Sequence, residues 1–381
     1  MPAYITGIGI CLPNEPITND RVEAVLGAVN GHSSRIKDMI LSRNGINARH
    51  YVIDAATGRQ THTNAQLTAE AILDLAENCG LDLDEIEVLA CGTSMPDQMI
   101  PSHACMVHGL VGCPPCEVVS TSGVCCAGMT ALKYGLLSVS SGNSRNAVIT
   151  GSEVASPSLL AKYFRCTRWS AHDVEKQPHL AFDQEFLRWM LSDGAGAVLI
   201  EGHPREGTVS LRIDWVDVVS FANELETCMY FGAVKARDGS LRTWREIDNL
   251  DKIWKEGYFN IAQDVRLLNE NIVPNAMRRS FQRIRDKHQL IPEAIDWLLP
   301  HLSSYLFRQP IHDTLAEMGF HIPYEKWFTN LDRKGNTGAA SIFIMLEELC
   351  NSGRLKPGQR ILCAVPESAR FTFAYMRLTV I

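Results

Sequence analysis

A two-part α/β fold is what this 381-residue sequence predicts, and three observations predict it. Short strand-like runs alternate with helical ones along the chain. Matching segments recur in the same order in both halves: "DEIEVLACGTS" (84–94) and "EAIDWLLPHLS" (293–303), "GVCCAGMTALKYG" (123–135) and "KGNTGAASIFIML" (334–346), "NAVITGSE" (146–153) and "RILCAVPES" (360–368). Between the copies, "GHPREGT" (202–208) reads as a turn after the strand "DGAGAVLIE". The chain is therefore expected to divide into an N-terminal half, 1–204, and a C-terminal half, 205–381, each holding one copy of the unit.

The first element, "MPAYITGIGICLP", reads as a strand and a turn rather than a basic-then-apolar signal, and no apolar run reaches membrane-spanning length. With a net charge of -7 the chain has no general attraction for nucleic acid or an anionic membrane, and a cytoplasmic location is expected. The twelve cysteines are scattered through apolar segments, so most are expected to be reduced core residues. "CPPC" at 113–116 has no second pair to complete a four-ligand site, and no metal is expected.

Next along the chain, Cys125 and Cys126 meet where small residues give way to a helical pattern. Met129, Leu132 and Leu136 share one face of that helix, which puts both cysteines in its first turn. Free N–H groups and the positive end of the helix dipole stabilise a thiolate there. Two buried cysteines packing as small hydrophobes would give the same stretch.

In the second half, "PNAMRRSFQRIRDKH" (274–288) reads as a basic helix, either a solvated face or a surface for an acidic partner. His301 follows the strand "IDWLL", and Asn336 opens the helix of the second copy. The repeat brings both toward the point where the cysteines stand. A cysteine, a histidine and an asparagine in one place suit covalent acyl transfer and polarisation of a thioester carbonyl. Taken singly, His301 reads as a core histidine and Asn336 as a helix cap.

These motifs, with "YITGIGICLPNEPITN" at the start, "SRNGINARH" (42–50), "LSDGAGAVLIE" (191–201) and "IDWLLPHLSS", make the chain resemble the thiolase-fold condensing enzymes, specifically the ketoacyl-acyl-carrier-protein synthase III group. The resemblance implies a five-layered αβαβα pseudo-dimer of two duplicated halves and an acyltransferase of the EC 2.3.1 class. It places the nucleophile immediately before "AG", at Cys126, leaves Cys125 to packing, and assigns the family histidine and asparagine to His301 and Asn336. The Cys126 N–H is implied as one oxyanion donor; Asp193, Gly194 and Gly196 fall in a structural turn. Arg43 is retained at the substrate entrance, whereas Met39 replaces the family's adenine-stacking tryptophan, which favours a carrier-protein donor over free coenzyme A. Ser304 stands where the family has another asparagine, and Ser368, Ala369 and Arg370 replace the glycine triplet of the second oxyanion loop, with Ala369 at its centre.

These departures, the insertion around "VNGHSSRIKDM" and the phrase "STSGVCC" resemble the branch that forms dialkylresorcinols and cyclohexanediones. Such an enzyme joins an acyl-Cys to a β-ketoacyl thioester, with His301 and Asn336 binding the second carbonyl. His301 and Glu153 are then the candidate bases, Glu153 having a purely supporting hydrogen-bond role as its alternative. Ile100 aligns with an intersubunit glutamate of related head-to-head enzymes and becomes a pocket-wall residue. The resemblance further implies a homodimer, acyl carrier protein as partner, acyl-carrier-protein or coenzyme A thioesters as substrates, and no redox or metal cofactor. Rival readings are an initiating synthase using malonyl carrier protein, an acyltransferase to an alcohol or amine, and a silent carrier-protein-binding subunit. Degradative thiolase chemistry is disfavoured because Cys363 lies in a strand rather than in a glycine-rich motif.

Overall fold

The computed structural model describes residues 1–34, 36–164, 185–236 and 238–381. Its core is a nine-stranded sheet built from β1 (Tyr4–Cys11), β2 (Val88–Thr93), β3 (Glu117–Ser122), β4 (Asn146–Glu153), β5 (Gly194–Glu201), β6 (Leu211–Ser220), β7 (Trp297–Pro300), β8 (Arg360–Glu367) and β9 (Thr372–Val380), in the order β7-β8-β9-β6-β1-β5-β4-β2-β3. Strands from before the 202–208 turn fill one side and those from after it the other. Along the sheet the two sides are joined by β1 and β6, which pair at Tyr4 with Arg212 and Ile5 with Leu211. On each side the central strands pair in parallel, β2 with β3 and β4, and β7 with β8, as helical crossovers require.

Strand alternation divides the core into layers, because successive side chains leave a strand on opposite faces. In β4, Val148 shares a cluster with Ile72 and Leu75 of α1 (Asn64–Cys79) and Val107 of α2 (His103–Val111), whereas Ala147 and Ile149 cluster with Met129 and Leu132 of α3 (Ala127–Ser141). In β8, Leu362 and Ala364 join Leu268 and Ile272 of α4 (Val265–Val273) and Ile311 and Leu315 of α5 (Arg308–Glu317). Ile361, Cys363 and Val365 instead share the central cluster with Ile342 and Leu346 of α6 (Ser341–Asn351). The order is therefore helix, sheet, helix, sheet, helix, the five layers that the sequence resemblance implies.

Close approach of the central helices depends on glycine. A Cβ on Gly151 would lie 2.3 Å from the Ala339 carbonyl oxygen, and one on Gly92 would lie 2.4 Å from the Ala127 carbonyl carbon. Asp193 ties the β5 entrance together, accepting N–H groups from Val52, Ala155 and Ser156 and the Ser156 hydroxyl, in keeping with a structural turn role. Burial outweighs those bonds and pushes its carboxyl up to about 6.

The basic stretch 274–288 is helical, with a π-type first half, Pro274–Phe281. Two of its arginines already have acidic neighbours in the chain, Arg278 with Glu317 and Arg279 with Glu224. Among the described residues, no helix is long and apolar enough to cross a membrane.

Candidate active site

The C-terminal ends of strands from both halves open on one cavity, which encloses about 860 Å³ including its mouth. Its polar wall carries Cys125, Glu153, His301 and Asn336; Met190, Leu268, Ile272 and Ile311 are among its apolar walls. A narrow apolar cleft adjoins it, with His301, Ile311 and Pro366 lining both.

The two adjacent cysteines have different surroundings. Helix α3 starts at Ala127, with Cys126 as its N-terminal boundary residue, one or two positions later than the sequence pattern suggests. The Cys126 side chain belongs to the central apolar cluster, and its sulfur lies 3.2 Å from the Val365 carbonyl oxygen and 3.6 Å from that of Thr372. Cys125, the residue left to packing by the motif, lines the cavity, whereas Cys126 is absent from its lining. Burial pushes both thiols up, and the Glu367 carboxylate adds to this; Glu153 acts in the same direction on Cys125.

The Cys126 N–H, implied by the resemblance as an oxyanion donor, has a carboxyl oxygen in front of it. It points to Glu367 Oε2 at 3.0 Å, and the Val124 N–H points to the same oxygen at 2.8 Å. Glu367 thus sets a carboxyl against the opening turn of α3; burial pushes its pKa up and prevails over the two N–H bonds that favour its charged form.

His301 emerges directly after β7, its backbone N–H bonded to the Ala364 carbonyl oxygen at 2.8 Å. Its Nε2 is buried without a hydrogen-bond partner, and burial pushes the imidazole down to about 4, so the ring is neutral near pH 7. Asn336 precedes the short 3-10 turn Gly338–Ala340; its Oδ1 accepts the Gly338 N–H at 3.1 Å, and its carbonyl oxygen accepts the Ser192 N–H at 2.8 Å. The sequence repeat therefore brings His301 and Asn336 to the cavity that Cys125 lines.

Glu153 ends β4 inside the same cavity. Its Oε1 accepts the Ser94 hydroxyl at 2.7 Å, the Ser94 N–H at 3.1 Å and the Thr93 hydroxyl at 3.2 Å, while Oε2 has only a long 3.4 Å contact from the Ala339 N–H. Burial prevails over these bonds and pushes the carboxyl up to about 7. A carboxyl with that affinity is divided between its acid and base forms near neutral pH, the condition for proton transfer.

The remaining sequence candidates are placed apart from this polar wall. Arg43 and Ser304 line an open groove with Met39 that adjoins the cavity, Phe186, Val273 and Phe307 lining both. Ser304 is buried and accepts the Leu306 N–H through its hydroxyl at 3.2 Å. Ala369 gives its carbonyl oxygen to the N–H groups of Cys228 and Met229, and it is the neighbouring Ser368 that lines the cavity. Ile100, which the resemblance aligns with a residue that reaches the partner subunit's pocket, is 86% exposed in the single chain and does not line that chain's own cavity. Its place in the loop before α2 carries it to the surface.

Glu367 is the residue that sequence reasoning missed. The signal was present in the third repeat match, because "NAVITGSE" and "RILCAVPES" set Glu153 and Glu367 at the same position of the unit.

Residues 286–365 match the family described as 3-oxoacyl-[acyl-carrier-protein] synthase III, C terminal. The chain is 27% identical over 360 residues to a β-ketoacyl-[acyl-carrier-protein] synthase III of Xanthomonas axonopodis pv. citri (strain 306), covering 94% of this chain and 92% of the relative. Among solved structures, OleA from Xanthomonas campestris superposes with a TM-score of 0.76 at 18% identity, covering 99% of this chain and 98% of the other. AbyA1, a tetronic acid condensing enzyme, superposes with a TM-score of 0.74 at 19% identity, covering 99% of each chain. The synthase III from Aquifex aeolicus VF5 gives 0.69 at 21% identity, again covering 99% of each. These structures share the thiolase-type α/β fold with this chain. The chain is a ketoacyl-synthase-III-like, acyl-transferring condensing enzyme.

Proposed function

We propose that this protein joins two acyl thioesters through a carbon–carbon bond, carrying the first acyl group on Cys125. The observation that supports this most directly is the convergence of Cys125, Glu153, His301 and Asn336 on one largely apolar cavity. In the first half-reaction the Cys125 sulfur attacks the thioester carbonyl carbon. A new carbon–sulfur bond forms, the old one breaks, and the carrier thiol leaves with a proton.

In the second half-reaction His301, with its proton on Nε2, and the Asn336 amide donate to the carbonyl oxygen of the incoming thioester. Those donors stabilise the enolate that forms at its α-carbon. For a β-ketoacyl donor, Glu153 takes the α-proton. The carbanion then attacks the acyl-Cys125 carbonyl, and the carbon–sulfur bond breaks to restore the cysteine. With an α,β-unsaturated first chain, the γ-carbon of the joined β-ketoacyl unit then adds to that chain's β-carbon, a proton moving to its α-carbon, and closes a six-membered cyclohexane-1,3-dione, the precursor of a dialkylresorcinol. Hydrolysis of the remaining thioester and loss of carbon dioxide release the carrier thiol. The apolar residues beside His301, among them Leu298, Leu315 and Ile322, favour an acyl chain over a malonyl unit there. Acyl carrier protein or coenzyme A delivers the substrates in this reading, with no further cofactor. A homodimer belongs to the same proposal, supported by the edge strand β3, whose residues Glu117, Ser120 and Ser122 are exposed.

A second reading has a specific observation in its favour: Cys126, not Cys125, stands immediately before "AG" as the family motif requires. The reaction itself is tested by incubating the protein with acyl and β-ketoacyl thioesters without malonate. A cyclic dione in the product mixture supports the two-chain reaction; turnover only on adding malonyl carrier protein contradicts it and identifies an initiating synthase.

A further inference from the structure

The cysteine pair left without partners in the sequence gains a third donor in the fold. Helix α2 ends at Val111, Gly112 turns the chain with a left-handed φ of 72°, and "CPPC" follows. This turn brings His108, in the last turn of α2, over the loop: its Nε2 lies 3.2 Å from the Cys113 carbonyl oxygen and 3.1 Å from that of Pro114. A ring nitrogen of His108 and the sulfurs of Cys113 and Cys116 all lie within 4.8 Å of one another, the one such grouping found among the described residues. Pro114 and Pro115 restrict the backbone between the two sulfurs. Cys113 is buried, while Cys116 and His108 are half-buried, so the group is open to water on one side.

We propose that His108, Cys113 and Cys116 form a binding site for a thiophilic divalent cation of the zinc class, at the end of β3 remote from the cysteine turn of the active site. Zinc–sulfur bonds of about 2.3 Å and zinc–nitrogen bonds of about 2.0 Å bring tetrahedral ligands to roughly 3.5–3.8 Å from each other, so a small tightening of the loop closes the site. Binding replaces two S–H bonds with two sulfur–metal bonds and releases two protons to solvent; neutral imidazole gives a lone pair, and water fills the fourth position. The cation joins the end of α2 to the start of β3 and stabilises the fold without entering the condensation chemistry.

The test uses the full chain, purified with its thiols reduced, equilibrated with zinc and freed of excess. Metal content by mass spectrometry, thermal unfolding, and the thiolate-to-metal absorption of the cobalt(II) form are measured for wild type, Cys116→Ser, His108→Ala and Cys105→Ser. Cys105 is an exposed thiol on the same helix, outside the group. The expected result is one cation per wild-type and Cys105→Ser chain, a higher unfolding temperature with metal, and loss of both in Cys116→Ser and His108→Ala. Failure of reduced wild type to retain zinc, or equal retention by Cys116→Ser, overturns the site.

Discussion

Glu153 and Glu367 stand at matching ends of matching strands, and each reaches the opening turn of the other half's helix. Glu367 Oε2 accepts the N–H groups of Val124 and Cys126 at 2.8 and 3.0 Å, while Glu153 Oε2 faces the Ala339 N–H at 3.4 Å. The tighter clasp belongs to the turn that carries the cysteines. The looser one leaves Glu153, in the cavity wall, with an oxygen that has one long contact. One repeated residue thus clasps a helix turn in one copy and, in the proposed reaction, serves as the base in the other.

Replacing Glu367 separates its charge from its hydrogen bonds. Glu367→Gln retains a carbonyl oxygen for the two N–H groups, so the fold should persist. Loss of the negative charge should lower the Cys125 thiol pKa, read as a downward shift in the pH midpoint of its alkylation. Glu367→Ala leaves the buried Cys126 N–H and the half-buried Val124 N–H without their partner and should destabilise the protein by about 1–3 kcal/mol, measured by denaturant unfolding.

The pH dependence of condensation should report Glu153. With a β-ketoacyl donor, the rate should rise as pH increases through about 7, because the ionised carboxylate is the base. Glu153→Gln should remove this limb and lower the rate by about 10²–10⁴-fold. A malonyl donor, which makes its enolate by losing carbon dioxide, should show neither effect. The same titration affects stability: a carboxyl raised above its unfolded value contributes fully below about 4.5, and this contribution is lost as pH rises through about 7.

His301 should act in the opposite sense on stability. Its imidazole is held down at about 4, so its contribution is full above the unfolded value of about 6.5 and is lost as pH falls through about 4. His301→Ala or Asn336→Ala should leave acylation of the cysteine intact while slowing condensation by about 10²–10³-fold, the scale for removing one oxyanion donor. Single-turnover acylation and product formation, measured separately, check that division.

Gly151 tests the central packing. A methyl group there meets the Ala339 carbonyl oxygen and the Phe343 ring, both in the interior. Gly151→Ala should therefore destabilise the fold by about 1–3 kcal/mol, detected as a lower unfolding midpoint.

The layered fold was legible because strand alternation and the three repeat matches are local patterns that burial enforces. His301 and Asn336 were legible for the same reason, each having a fixed place in its copy. The surroundings of Cys125 and Cys126 were less so: adjacent residues at a helix entrance face different ways, and a one-residue change in the helix start exchanges their positions. Ile100 was read from alignment alone, because a loop carries no periodicity from which to read its direction, and the residue it aligns with acts across a subunit interface. Glu367 escaped notice because its partners, Val124 and Cys126, lie more than two hundred positions away in the chain.

The central claim is that Cys125 carries the acyl group. Intact-protein mass spectrometry of wild type, Cys125→Ala and Cys126→Ala after incubation with an acyl thioester tests it most directly. The account predicts one added acyl mass on wild type and on Cys126→Ala, and none on Cys125→Ala. Acylation of Cys125→Ala together with its loss in Cys126→Ala would contradict the claim and return the nucleophile to the residue before "AG".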